Sequence, residues 1–275
     1  MPKNVSVEEL KAKAKELRIN ILKTAKFAGS GHFGGSLSSA DILTALYYKF
    51  LNVDPGKPSM PERDKFILSK GHAALAYVPC LAMKGFVPME SLESFNHYES
   101  AYGMHPDANK IEGCDASTGS LGHGLSLGVG MALGDRYQNL DTKVVVLMGD
   151  GEQNEGSIWE AAMAASHFKL NNLIAIVDKN RFCIDGCTDD IMSIEPLGKK
   201  YEAFGFKVIE CNGNDMAEVD RALEEAWAET EKPVCIVANT QKGFGVKRFQ
   251  GTVEWHYGAM DIEMFNEALA DVESL

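Results

Sequence analysis

Two apolar runs that end in polar residues leave few architectures open to this chain. The first, Lys143 to Met148, is rich in β-branched residues and stops at Gly149-Asp150-Gly151. The second, Leu173 to Val177, stops at Asp178-Lys179-Asn180. Between them, Gly156 to Phe168 has the spacing of an amphipathic helix. Strand, helix and strand in this order, with near-continuous apolar strands, imply a parallel pair buried on both faces. Ligands of open parallel sheets sit beyond the carboxyl ends of the strands. An acid at the end of one strand and an amide at the end of the next are therefore placed where a ligand binds.

The chemistry this suggests is a divalent cation bridging to a diphosphate. Mg²⁺ takes oxygen ligands in near-octahedral geometry, commonly one or two protein groups with phosphate oxygens and water. Asp150 offers a carboxylate, Asn180 an amide oxygen, and a backbone carbonyl just after Asn180 a third oxygen. Gly149 and Gly151 lack Cβ and let the backbone approach phosphates. Gly-Asp-Gly alone would be an ordinary turn; the Asn-ended second strand is what favours a site.

The remaining chain extends this pattern into one domain, residues 1–275. Ser6-x-x-Glu9 forms a capping box for a first helix that should end at Gly29. A glycine-rich loop holding His32 follows, then a helix from Ser38 or Ser39 to about Phe50. Residues 64–69 read as a strand running into Lys70-Gly71-His72 and a helix to about Lys84. A helix is expected near Met89–His97, and residues 100–121 form a long irregular stretch of the kind usually reserved for function. A helix with Gly128, Gly130, Ala132 and Gly134 should pack closely before the strand at Lys143. After a polar loop to about Ser193 come a helix at Leu197–Phe204, a strand at Phe206–Glu210, a helix capped by Asp215, a strand at Val234–Ala238 and a last helix from about Asp261. Five strands alternating with helices imply an α/β fold: a doubly wound, mostly parallel sheet with helices on both faces.

Composition narrows the function classes. A net charge of −12 disfavours nucleic acid, which requires a basic face. The N-terminus is too charged for a secretory signal and no apolar run approaches a membrane span, so a cytoplasmic protein is expected. Six cysteines include no Cys-x-x-Cys pair, which leaves no zinc or redox motif. Of seven histidines, His32, His72, His105 and His256 stand in loops, the first three beside glycine or proline and His256 two residues before Gly258, and His123 opens a helix. Imidazoles in such settings suit proton movement. His97 and His167 fall within helix patterns and read as structural.

Taken together, Gly31-His32-x-Gly34-Gly35, Ser69-Lys-Gly-His72, Gly103-Met-His105-Pro106, Thr118-Gly-Ser-Leu-Gly122, Gly149-Asp-Gly151, Asn180-Arg-Phe-Cys-Ile-Asp-Gly186 and Trp255-His256 occur in a specific order. In that order the chain resembles the N-terminal, diphosphate-binding (PP-type) domain of transketolases over nearly its whole length. The resemblance implies the thiamine diphosphate-binding fold, thiamine diphosphate as cofactor and Mg²⁺ as the ion, with Ca²⁺ or Mn²⁺ able to substitute. Asp150, Asn180 and the Phe182 carbonyl would hold the cation. His72, Gly151 and His256 would meet the diphosphate end, with Gly119, Leu121 and Ile184 by the rings. His32, His105 and His256 would be the catalytic histidines of the sugar channel, His32 and His256 at the donor oxygen and His105 at a donor hydroxyl. Glu155 would lie at a subunit contact.

The resemblance further implies transfer of a two-carbon ketol unit from a ketose phosphate to an aldose phosphate, as in the pentose phosphate pathway. Three positions depart from the family pattern: Phe33 for proline, His123 for glutamine, and Trp-His-Tyr-Gly for Trp-His-Gly. The family's cofactor-activating glutamate comes from a pyrimidine-binding domain, and the chain ends at Leu275 before any such half. A C-terminal transketolase subunit is therefore the expected partner, in an α2β2 assembly. Met1 and the helical tail are expected to mark a complete subunit. The motifs leave open an unusual sugar as substrate, a deoxyxylulose-phosphate synthase or 2-oxo acid dehydrogenase alpha chain, and a non-catalytic regulatory half.

Overall fold

A computed structural model describes residues 2–275. Its centre is a five-stranded, all-parallel sheet in the order β2-β3-β4-β6-β5: β2 Lys65–Leu68, β3 Val144–Gly149, β4 Leu173–Lys179, β6 Val234–Asn239 and β5 Lys207–Asn212. All five expected strands are present, the fifth shifted one to two residues toward the C-terminus. Alternation along each strand divides the core. Val145, Leu147, Ile174 and Ile176 face one side, against α1 (Val7–Ala28), α3 (Ala40–Ala45), α4 (Ala74–Lys84), α9 (Met216–Trp227) and α10 (Ile262–Glu273). Val144, Val146, Ala175 and Val177 face the other, against α5 (His123–Tyr137), α6 (Gly156–His167) and α8 (Leu197–Ala203). This period of two is what a strand covered on both faces produces.

Caps fall where the sequence places them. Ser6 and Glu9 form the reciprocal capping box of α1, Gly29 ends it in the left-handed conformation, and Asp215 accepts from the Ala217 and Glu218 amides. The small residues of α5 divide by face. A Cβ on Gly128 would meet Val146 Cγ2 at 2.5 Å, so α5 lies tightly on the sheet there, whereas Gly130 and Gly134 point outward with nothing within 4 Å.

Three local expectations are corrected. Helix resumes at Phe33, not Ser38: α2 (Phe33–Ser38) runs through Gly34 and Gly35, with α3 and a wider π-helical turn (Leu46–Phe50) after it. Those glycines serve close packing, since a Cβ on Gly34 would meet the Lys242 stem at 2.7 Å. Residues 89–94 form a 3-10 helix that ends before His97, and the polar loop after Asn180 contains a short helix, α7 (Thr188–Met192). A two-stranded antiparallel ribbon, β1 (Ser30–Gly31) with β7 (Gly258–Ala259), joins the start of the chain to its tail. Among the described residues, no helix is long and apolar enough to cross a membrane.

Candidate cofactor and substrate site

The carboxyl ends of β2, β3, β4 and β6 deliver charged side chains to one cavity of about 230 Å³. Asp150 follows β3 and is buried. Its two oxygens accept from the Gly151 and Arg181 amides. Burial, and then the neighbouring Asp178, push its carboxyl up to about 7 against those amides. Asn180 lies just past β4; its Oδ1 accepts from the Phe182 amide at 3.2 Å and its Nδ2 donates to Asp178 at 3.3 Å. Asp150, Asn180 and Phe182 all line the cavity.

Behind them sits a fully buried ion pair. Lys70, just after β2, bonds Asp178 at the end of β4 and donates to the Gly35 carbonyl at 2.8 Å. Ser38 and Thr240 also donate to Asp178. Burial alone would raise this carboxyl; the Lys70 charge and the hydroxyls outweigh it and hold the group below the ordinary carboxylate range. Glu152 ties three loops together by accepting from the Ser69 hydroxyl, the Gly122 amide (2.9 Å) and the Gly149 amide (3.0 Å).

Lys242, past β6, is the residue the sequence reading passes over. Its amine is buried, donates to the Cys183 carbonyl (3.2 Å), contacts His256 Nδ1 (3.4 Å) and has no carboxylate partner among the described ion pairs. Burial lowers it to about 8. A buried amine with no carboxylate in ion-pair contact, lining a cavity beside a buried acid, marks a place for an anion. Its sequence signal is its position just beyond a strand end, the same signal that identifies Lys70.

The histidines form the second half of the site. His32 has ring centroids 5.3 Å from His72, 5.6 Å from His256 and 6.4 Å from His105, and His72 stacks on His256 at 5.1 Å. Four residues far apart in sequence therefore share one cluster. Burial, with His105 for His32 and with Lys242 and His32 for His256, lowers both of those imidazoles to about 4. His72 is driven well down by burial, Lys70 and the other histidines. Of the expected cofactor residues, His72, Leu121, Gly151, Asn180, Ile184 and His256 line the cavity. Gly119 does not; it lies under the His105 ring, which a Cβ there would meet at 3.2 Å. Exposed His123 and Glu155 stand outside the lining. The Phe33 departure is absorbed by an aromatic trio: its ring lies 4.9 Å from Phe249 and 6.0 Å from Trp255, fastening the His32 segment to the tail that carries His256.

These residues fit a metal-bridged diphosphate cofactor. Oxygen donors stand at the ends of β3 and β4, a buried amine with no carboxylate in ion-pair contact faces the same space, and glycines keep the walls open. A Cβ on Gly151 would already meet Cys183 Cβ at 3.0 Å. Among the described residues there is no cluster of three His, Cys, Asp or Glu side chains able to hold a metal. A site built from one carboxylate, one amide, one carbonyl and the ligand's own oxygens has no need of one.

Comparison with known proteins agrees with this geometry. Residues 10–269 match the family model of the transketolase, thiamine diphosphate binding domain. An apulose-4-phosphate transketolase subunit of Actinobacillus succinogenes is 43% identical over 98% of this chain and 99% of its own. The 6-deoxy-6-sulfo-D-fructose transketolase subunit SqwG of a Clostridium species is 40% identical over 96% of each. Among solved structures, transketolase from Campylobacter jejuni superposes with a TM-score of 0.90 at 31% identity, over 98% of this chain and 43% of that one.

Proposed function

The chain belongs to the transketolase family, and from that premise we propose that it is the diphosphate-binding half of a two-subunit ketol transferase. The reading has the chain bind thiamine diphosphate through Mg²⁺ and work on sugar phosphates with a pyrimidine-domain partner. The single observation that carries it is the convergence of Asp150, Asn180 and the amine of Lys242 on one cavity flanked by four imidazoles. Family membership alone would leave a non-catalytic half equally open; the histidine cluster favours catalysis.

In this reading Asp150, Asn180 and the Phe182 carbonyl hold the cation. His72, Gly151, His256 and Lys242 receive the diphosphate, and Gly119, Leu121 and Ile184 flank the rings. When bound, the cofactor supplies the nucleophilic carbon and electron sink that no side chain offers. The protein supplies orientation and proton movement. Near neutral pH the imidazoles of His32 and His256 are uncharged, so each presents one N–H and one lone pair. With the Lys242 ammonium assigned as the donor to His256 Nδ1, Nε2 carries the proton and is a donor for the ketose oxygen as negative charge builds on it. His105 is assigned to a donor hydroxyl.

A branched or otherwise modified sugar is the second reading of the substrate. The full-length relatives at 40 to 43% identity carry such names. The test reconstitutes the chain with a pyrimidine-domain partner and compares fructose 6-phosphate with apulose 4-phosphate as donors. Ketol transfer is expected only in the mixture; turnover by the chain alone would sink the two-subunit reading. Asp150→Ala is expected to weaken Mg²⁺-dependent thiamine diphosphate binding about a hundredfold or more by calorimetry, since even outer partners of metal ligands matter about ten- to a hundredfold.

A further inference from the structure

The ring nearest His32 is not a histidine. Tyr257 lies at 4.9 Å between centroids, tilted by 56°, closer than His72, His256 or His105. Its hydroxyl is 2.9 Å from the Ser30 hydroxyl. The backbone makes this meeting obligatory. In the β1–β7 ribbon Gly31 pairs with Gly258 and Ser30 with Ala259, so the residue before His32 is locked to the residue after Tyr257. Tyr257 is the extra residue of Trp-His-Tyr-Gly, and two successive rings, His256 and Tyr257, reach the same imidazole.

His32 needs such a neighbour. Among the described residues its ring makes no hydrogen bond and faces no carboxylate; His72, His105, His256 and Tyr257 surround it. With no directional bond to fix the imidazole, ring contacts alone set its orientation. An aromatic contact of this kind stabilises one arrangement over others by up to about tenfold. The opposite side of Tyr257 is open, with 43% of the residue exposed at the outer edge of the cluster.

We propose that Tyr257 is a positioning residue of the sugar channel: its ring holds the His32 imidazole toward the donor's oxygen and forms the channel's outer wall. This rests on the ketol-transferase reading above. The hydroxyl bond to Ser30 is secondary, so phenylalanine should serve nearly as well as tyrosine, and serine should not.

Two measurements decide it. On the isolated chain, the His32 imidazole ring signals are followed by carbon–proton NMR in wild type, Y257F and Y257S. Loss of the ring is expected to move the His32 signals while those of His97 and His167 stay in place, and Y257F is expected to stay near wild type. In the complex with a pyrimidine-domain partner, with fructose 6-phosphate as donor, Y257S is expected to lower donor kcat/KM about tenfold. Thiamine diphosphate affinity should be unchanged, and Y257F should restore kcat/KM to within about threefold of wild type. Unmoved His32 signals in Y257S, an unchanged donor kcat/KM, or an equal loss of cofactor affinity would each overturn the proposal. If wild-type complex transfers no ketol unit from any sugar phosphate, the functional reading fails. The NMR arm then still shows separately whether Tyr257 holds His32.

Discussion

The two ends of the site are built on opposite principles. At the diphosphate end, charges are buried and almost every polar atom is bonded: Lys70 to Asp178, Asp178 to Ser38, Thr240 and Asn180, and Asp150 to two amides. At the histidine end, burial holds His32, His72 and His256 neutral, three of the four rings make no side-chain hydrogen bond among the described residues, and His105 is exposed. The first end is fastened by charge-assisted hydrogen bonds. The second is held by ring contacts and remains free to hydrogen-bond whatever enters. A fixed anion of known shape suits the first; a sugar whose oxygens change charge during reaction suits the second.

Removing Lys70 attacks this contrast hardest. Lys70→Met strands a buried carboxylate, which commonly costs about 3–5 kcal/mol, and should show as a lower urea midpoint with an unchanged slope. Asp150→Asn should change the pH dependence instead. A carboxyl whose folded value is raised to about 7 stabilises the fold most at low pH, and that contribution is lost as pH rises through 7. The asparagine amide turns one donor toward the Gly151 or Arg181 N–H, at a cost of about 1–3 kcal/mol that does not vary with pH, so the readout is the slope and not the midpoint at one pH. Wild type, without cofactor or metal, should lose stability relative to the asparagine variant as pH rises from about 4 to 8, and a pH-independent difference would refute the claim that this acid is held at the expense of the fold.

The smallest effect sharpens the comparison by pH. His32 and His256 have folded values near 4, below the unfolded value, so their contribution is present above about pH 6.5 and is lost as pH falls toward 4. Asp150 changes stability in the opposite sense over much of the same range. Wild type should show a shallow net dependence. Asp150→Asn should steepen the loss on acidification, and a His32→Gln, His256→Gln double variant should reverse it, so that stability rises as pH falls, all read from urea midpoints across the window.

Legibility in sequence follows the kind of signal each element carries. β3 and β4 are plain because β-branched runs end in Asp and Asn, and three of the four clustered histidines are plain because each stands beside glycine or proline, with His256 two residues before Gly258. The start of α2 is hidden because Gly34 and Gly35 look like helix breakers; Gly34 is there because the Lys242 stem occupies the space a side chain would fill. The β1–β7 ribbon, two residues on each side, is too short to leave a periodic pattern. Lys242 carries only the weak signal of a position just past a strand end, and a single lysine there becomes meaningful only when the fold buries it without an ion-pair partner.

Glu152 has a consequence for how a ligand is received. One carboxylate grips the loop after β2, the turn before α5 and the end of β3, segments drawn from distant parts of the chain. Three loops that would otherwise fluctuate separately are thereby gathered into a single ordered mouth before anything arrives. The entropy of ordering them is settled during folding, so a cofactor meets a shape that is already waiting and keeps more of its contact energy as affinity.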